Sequence, residues 1–128
     1  GEPTCALEML EKTAKYVKDK YHLPIRVNTN GLGNLYHGRD IVPELAEYVD
    51  SVSISLNAAN AEEYNNVTRP SFDNAYEAML DFAEECNRMI KHTQLSIVDV
   101  LPEEDIKTCQ QIADERGIHL KIRHFSNP

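Results

Sequence analysis

Short polar side chains gather where this chain leaves its apolar runs. Asn28, Thr29 and Asn30 follow Val27, and Ser53, Ser55 and Asn57 alternate with Ile54 and Leu56. Asp99 ends the run 95–98, and His124 stands near the end of the last one. Amides and hydroxyls of this kind offer hydrogen bonds to a polar ligand without adding charge. A carboxylate and an imidazole suit acid–base or metal chemistry, but only Asp99 and His124 supply them at such positions. His22, His37, His92 and His119 lack the helical spacing of a metal site and read as surface or loop residues. Cys5, Cys86 and Cys109 form no CxxC pair and no disulfide framework. Arg39 and Arg69 are candidates to hold an anion, and Arg39 reads better as an exposed loop residue.

Alternating helix-like and strand-like segments must position these groups. Leu7, Leu10, Ala14 and Val17 recur at spacings of three and four, the signature of one helical face. Lys15, Lys18 and Lys20 follow where the helix macrodipole favours cations. Residues 23–28 read as a strand and 29–40 as a polar loop with three glycines, leading into a short helix over 41–48. Residues 51–56 alternate serine with apolar residues as a second strand. Asn60-Ala61-Glu62-Glu63 is a capping box. A long helix is predicted over 72–91, with Phe72, Tyr76, Met79, Ala83, Cys86 and Ile90 on its apolar face. A third strand is predicted over 94–100. A helix begins after Pro102 and stops at Arg116-Gly117, and a fourth strand spans 118–125.

Strands separated by helices imply parallel pairing by right-handed crossovers. The pattern predicts an α/β fold with four parallel strands and polar residues on one sheet face. An open doubly wound sheet and an arc of a barrel both satisfy it. Either way, function belongs at the carboxyl ends of the strands, which are the polar clusters above.

The 128 residues suffice for a single domain over 1–128. With 21 Asp+Glu against 13 Lys+Arg, the net charge is −8. That balance disfavours nucleic acid as a partner, because phosphate-backbone binding needs a positive field. No apolar run reaches the roughly 20 residues of a membrane span, so no membrane partner is expected. Three unpaired cysteines fit a reducing, cytoplasmic setting. The chain begins Gly1-Glu2 without Met, so a segment preceding Gly1 is expected.

Three motifs in order suggest a family: Gly1-Glu2-Pro3-Thr4 before a helix, Asn28-Thr29-Asn30-Gly31 after a strand, and residues 53–58 on the next strand. Together they resemble the radical S-adenosylmethionine (radical SAM) enzymes. More narrowly, they resemble the group that includes pyruvate formate-lyase-activating enzymes. Gly38-Arg39-Asp40-Ile41 and Ser55-Leu56-Asn57-Ala58 are also similar to a TatD-linked radical SAM subgroup. The resemblance spans essentially the whole chain.

It implies a partial (β/α)6 TIM-like barrel, of which this chain is the carboxyl-terminal two-thirds, carrying the third to sixth strands. The CxxxCxxC loop that holds a 4Fe–4S cluster is then expected upstream. The implied parent enzyme cleaves S-adenosylmethionine reductively to a 5′-deoxyadenosyl radical that abstracts hydrogen from its substrate. That substrate is a glycyl-radical protein partner or a small molecule. The resemblance places Gly1, Glu2 and Pro3 at the methionine ammonium and Asn28, Thr29 and Asn30 at the barrel mouth. It sets Ser53, Ser55 and Asn57 at the ribose hydroxyls or carboxylate. Asp99 lies where the family lines the adenosine, and the backbone around His124 and Phe125 where it meets the adenine. Without cluster cysteines, this chain alone is expected to bind no cofactor and to be inactive.

Two other classes compete. One is a non-catalytic α/β binding or regulatory module; no aspartate cluster of the response-regulator kind is present. The other is an arc of a metal-dependent TIM-barrel hydrolase or isomerase, for which only Asp99 and His124 qualify. As the third strand of a barrel, residues 23–28 would keep an open edge in this chain. Such edges pair with other chains, so self-association is expected.

Overall fold

A computed structural model describes residues 2–124. A 3-10 turn at Pro3–Cys5 leads into α1 (Leu7–Tyr21), which ends at His22 in the left-handed conformation. Strand β1 (Arg26–Thr29) follows, then two short helices, α2 (Gly33–His37) and α3 (Val42–Tyr48), and strand β2 (Ser51–Ser55). Helices α4 (Ala61–Thr68) and α5 (Ala75–Met89) precede β3 (His92–Val98). Helix α6 (Glu103–Arg116) and β4 (His119–Arg123) complete the order.

The four strands form one parallel sheet in the order β1-β2-β3-β4. Side chains on a strand alternate between faces, and register partners share a face. Val27, Val52, Ile54, Leu95, Ile97 and Leu120 therefore fall on one side, buried with the helices in the core. Arg26, Asn28, Ser51, Ser53, Gln94, Ser96, His119 and Lys121 fall on the other. A doubly wound sheet carries helices on both faces and reverses its strand order partway. Here the order never reverses and one face is polar, so the sheet is an arc of the partial TIM-like barrel.

The helices form for the reasons their sequences offer. Ala14 on α1, and Met79, Leu80, Phe82, Ala83 and Cys86 on α5, are buried. The side chain of Asn60 accepts the Glu63 N–H at 2.9 Å and caps α4. Gly117, with φ +71°, ends α6 in the left-handed conformation.

Several boundaries differ from expectation. The first strand starts at Arg26, because the Ile25 carbonyl turns to accept the N–H groups of Asp50 and Ser51. The third occupies 92–98, because its ladder opens with His92 opposite Ser51. Helix α5 starts at Ala75, after a turn through residues 71–74. Helix α2 replaces part of the predicted loop. His37 Nε2 lies 2.7 Å from the Thr4 carbonyl oxygen, and the Asn34 side chain accepts the Ile41 N–H at 2.8 Å. These tertiary bonds hold a segment too short for its own periodicity to be seen.

Candidate functional site

The loops beyond the carboxyl ends of β1 and β2 enclose a cavity of about 250 Å3. Asn30 enters it from the end of β1, Asn57 from the end of β2, and Arg69 from the end of α4. Cys5, Tyr36 and Tyr64 complete much of the wall. Asn57 and Arg69 both have positive φ, at +68° and +46°. Only a few per cent of non-glycine residues do so, and such residues cluster at ligand sites. Arg69 also precedes Pro70, a position that disfavours helical conformations. Among the described residues, Arg69 forms no ion pair or side-chain hydrogen bond. Arg39, by contrast, is taken up by both oxygens of Glu44. Asn30 Oδ1 accepts the Leu32 N–H at 3.0 Å, which leaves its amide donors for the cavity.

A carboxylate ties this site to the start of the chain. Glu2 Oε2 accepts from the Thr4 N–H at 3.0 Å, the Thr4 hydroxyl at 2.6 Å and the Thr29 hydroxyl at 2.7 Å. Glu2 Oε1 accepts the Asn30 N–H at 2.7 Å. A carboxylate offers about four lone-pair sites, two on each oxygen; three of the protein's own donors converge on Oε2 and one reaches Oε1. Thr29 is thus 3% exposed on the helix side of the sheet, whereas Asn28 lies on the polar face. Pro3 opens the 3-10 turn beside them. Gly1 and Phe125 lie outside the described residues.

The remaining sequence-predicted residues fall into two places. Asn28 and Ser53 are register partners on the polar face, and Ser55 pairs with Ser96 one step further on. Asp99 and His124, at the carboxyl ends of β3 and β4, meet with Nδ1 and Oδ2 3.0 Å apart. The Asp99 N–H also donates to the Arg123 carbonyl at 2.9 Å. Asn30 and Asn57 are therefore together, Asp99 and His124 are together, and Glu2 is joined to Thr29. The walls contributed by Cys5, Tyr36 and Tyr64 were not singled out in the sequence. Aromatic residues on helices ordinarily signal core packing.

The cysteines are set for packing rather than ligation. Cys86 and Cys109 are fully buried, and burial pushes their thiols up to about 12 and about 11, helped by nearby carboxylates. Among the described residues, no group of three or more His, Cys, Asp or Glu is arranged to hold a metal ion. No helix among them is long and apolar enough to cross a membrane.

No curated protein and no solved structure matches the chain. The family model described as "Radical SAM superfamily" matches residues 1–115. That span takes in the Glu2 tie, the carboxyl-end cavity and three of the four strands. The chain belongs to the radical SAM superfamily.

Proposed function

We propose that this chain is the carboxyl-terminal two-thirds of a radical SAM enzyme's core and that its carboxyl-end cavity receives the amino-acid end of S-adenosylmethionine. The observation that carries this reading is the meeting of Asn30, Asn57 and Arg69 at one cavity. An unpaired guanidinium suits the methionine carboxylate, which it can grip with two parallel N–H donors. The two side-chain amides suit the ammonium and hydroxyl groups. Glu2 positions the Asn30 backbone through Oε1, whose second lone pair suits the methionine ammonium. Asn28, Ser53 and Ser55 line the barrel interior, and Asp99 with His124 flank its far side toward the adenosine.

A 4Fe–4S cluster does not fit the described residues. The three cysteines lie far apart in sequence, and two are sealed in helices. We place the cluster ligands in a segment preceding Gly1, so the chain alone does not cleave S-adenosylmethionine. In this family the cluster and S-adenosylmethionine together supply a carbon radical for hydrogen abstraction. The substrate is a glycyl-radical protein or a small molecule, in keeping with the resemblance to the activating enzymes. Three free cysteines favour a reducing, cytoplasmic setting. Strand β1 has a partner on one side only, which favours self-association of the isolated chain. Light scattering that shows a monomer at every concentration would count against that association.

The test uses the protein at natural length, reduced anaerobically with its cluster reconstituted. The expected result is 5′-deoxyadenosine formation, with Arg69→Gln weakening S-adenosylmethionine binding about tenfold, the value of one charge-assisted pair. An intact cluster that yields no 5′-deoxyadenosine would overturn the reading.

A further inference from the structure

The amino ends of the strands bring together a second group of side chains. Arg26, Ser51, His92 and His119 are the first residues of β1, β2, β3 and β4. The register sets Arg26, Ser51 and His92 in one row, and Ser53, Gln94 and His119 in the next on the same face. Lys91 and Asn87 reach the same place from the carboxyl end of α5 and the turn after it. The cavity they line measures about 480 Å3, within the range of small-ligand sites.

Among the described residues, no acidic one lines this cavity, although the chain has a net charge of −8. Among the described residues, Arg26, Lys91, His92 and His119 form no ion pair. Asp50 feels the charge of Lys91, but its carboxylate is committed elsewhere. It accepts the Ile25 N–H at 2.7 Å and pairs with Lys18 at 3.1 Å. Gln94 Nε2 donates to Ser53 Oγ at 3.1 Å, which fixes neutral polar groups in the floor.

The geometry points to an anion-binding site at the amino ends of the strands, for a small molecule whose phosphate or carboxylate groups carry two or more negative charges. Arg26 supplies a planar fork of donors and Lys91 a compact charge. The two imidazoles and the Ser51 hydroxyl supply further hydrogen-bond donors. Two permanent cations inside a concave wall concentrate a positive field on an otherwise acidic molecule. The site lies at the opposite end of the strands from the Asn30–Asn57–Arg69 cavity, so it does not rest on the function proposed above.

The protein at natural length is titrated with pyrophosphate and, separately, with citrate. Calorimetry reads the affinity, and NMR at fixed pH reads the imidazole signals of His92 and His119. Saturable binding that moves both histidine signals, and that weakens at least about tenfold in the Arg26→Gln, Lys91→Gln double variant, supports the site. Binding of pyrophosphate alone or citrate alone supports it equally and tells phosphate from carboxylate recognition. Lys91→Gln alone, at an exposed position, is the second variant should the double variant fold poorly. No binding of either anion at about 10 mM, or unchanged affinity in a folded variant, overturns the proposal.

Discussion

The Thr29 hydroxyl, buried at the end of β1, donates at 2.7 Å to the carboxylate of Glu2, 27 residues earlier in the chain. The same hydroxyl oxygen accepts the Gly31 N–H at 3.2 Å. Thr29→Val keeps the shape but leaves that N–H and a Glu2 lone pair without their partner. The expected loss is about 2 kcal/mol. For a chain of this size that lowers Tm by about 3–5 °C per kcal/mol, measured by thermal unfolding. Glu2→Gln should cost a similar amount, because its amide turns a donor toward groups that are themselves donors.

Thr93 predicts the opposite sign for the same substitution. It stands in register with Val52, on the helix-facing side of the sheet. Its hydroxyl oxygen is buried and has no hydrogen-bond partner among the described residues. Thr93→Val removes the desolvated oxygen and fills its place with a methyl group. A gain of about 1 kcal/mol is expected in denaturant unfolding, with m unchanged.

Stability should fall with pH across the range set by Glu85. Burial, together with the hydrogen bond and repulsion from Asp40, pushes its carboxyl up to about 7 from 4.5. The hydrogen bond with Glu85 draws Asp40 the other way, so the pair keeps its shared proton on Glu85. Between about pH 4.5 and 7 the folded protein holds more protons than the unfolded chain. Glu85's contribution is therefore complete below 4.5 and withdrawn by 7. Urea midpoints at low ionic strength should decline over this interval in the wild type and flatten there in Glu85→Gln. An unaltered slope in the variant would assign the decline to other groups.

The three thiols should react in two classes. Cys5 is half-buried, whereas Cys86 and Cys109 are sealed and held up to about 12 and about 11. A short iodoacetamide pulse near pH 8 should label Cys5 alone in the native protein and all three cysteines in urea, read by intact mass. Native labelling at Cys86 would show that α5 opens from the sheet.

The elements and the site were legible to different degrees. The serine–apolar alternation at 51–56 announces a strand, and β2 forms there, although Ser53 is buried on the serine face as fully as Val52 and Ile54 are on the other. The capping residue Asn60 and the stop at Gly117 are local chemistry, so both appear where the residues say. What the sequence did not show depends on distant partners. Helix α2 needs Thr4 to anchor His37. Alternation alone turns Thr29 toward the core with Val27, but the partner of its buried hydroxyl is a carboxylate 27 positions away. Arg69 reads as a candidate to hold an anion, but only the end of α4 brings it into one cavity with Asn30 and Asn57. His92 and His119, read as surface residues, share a cavity wall only because parallel pairing sets the first residues of β3 and β4 near one another.

The unbroken strand order bears on how the molecule is made. Each strand pairs with the one translated just before it, so no segment waits for a distant partner still inside the ribosome. The sheet can lengthen by one strand and its covering helices each time a further stretch of chain emerges, keeping loop-closure costs modest at every stage. Synthesis and assembly then proceed in the same direction. Apart from the outer edge of β1, the ladder left exposed after each addition is the one that the next strand will occupy.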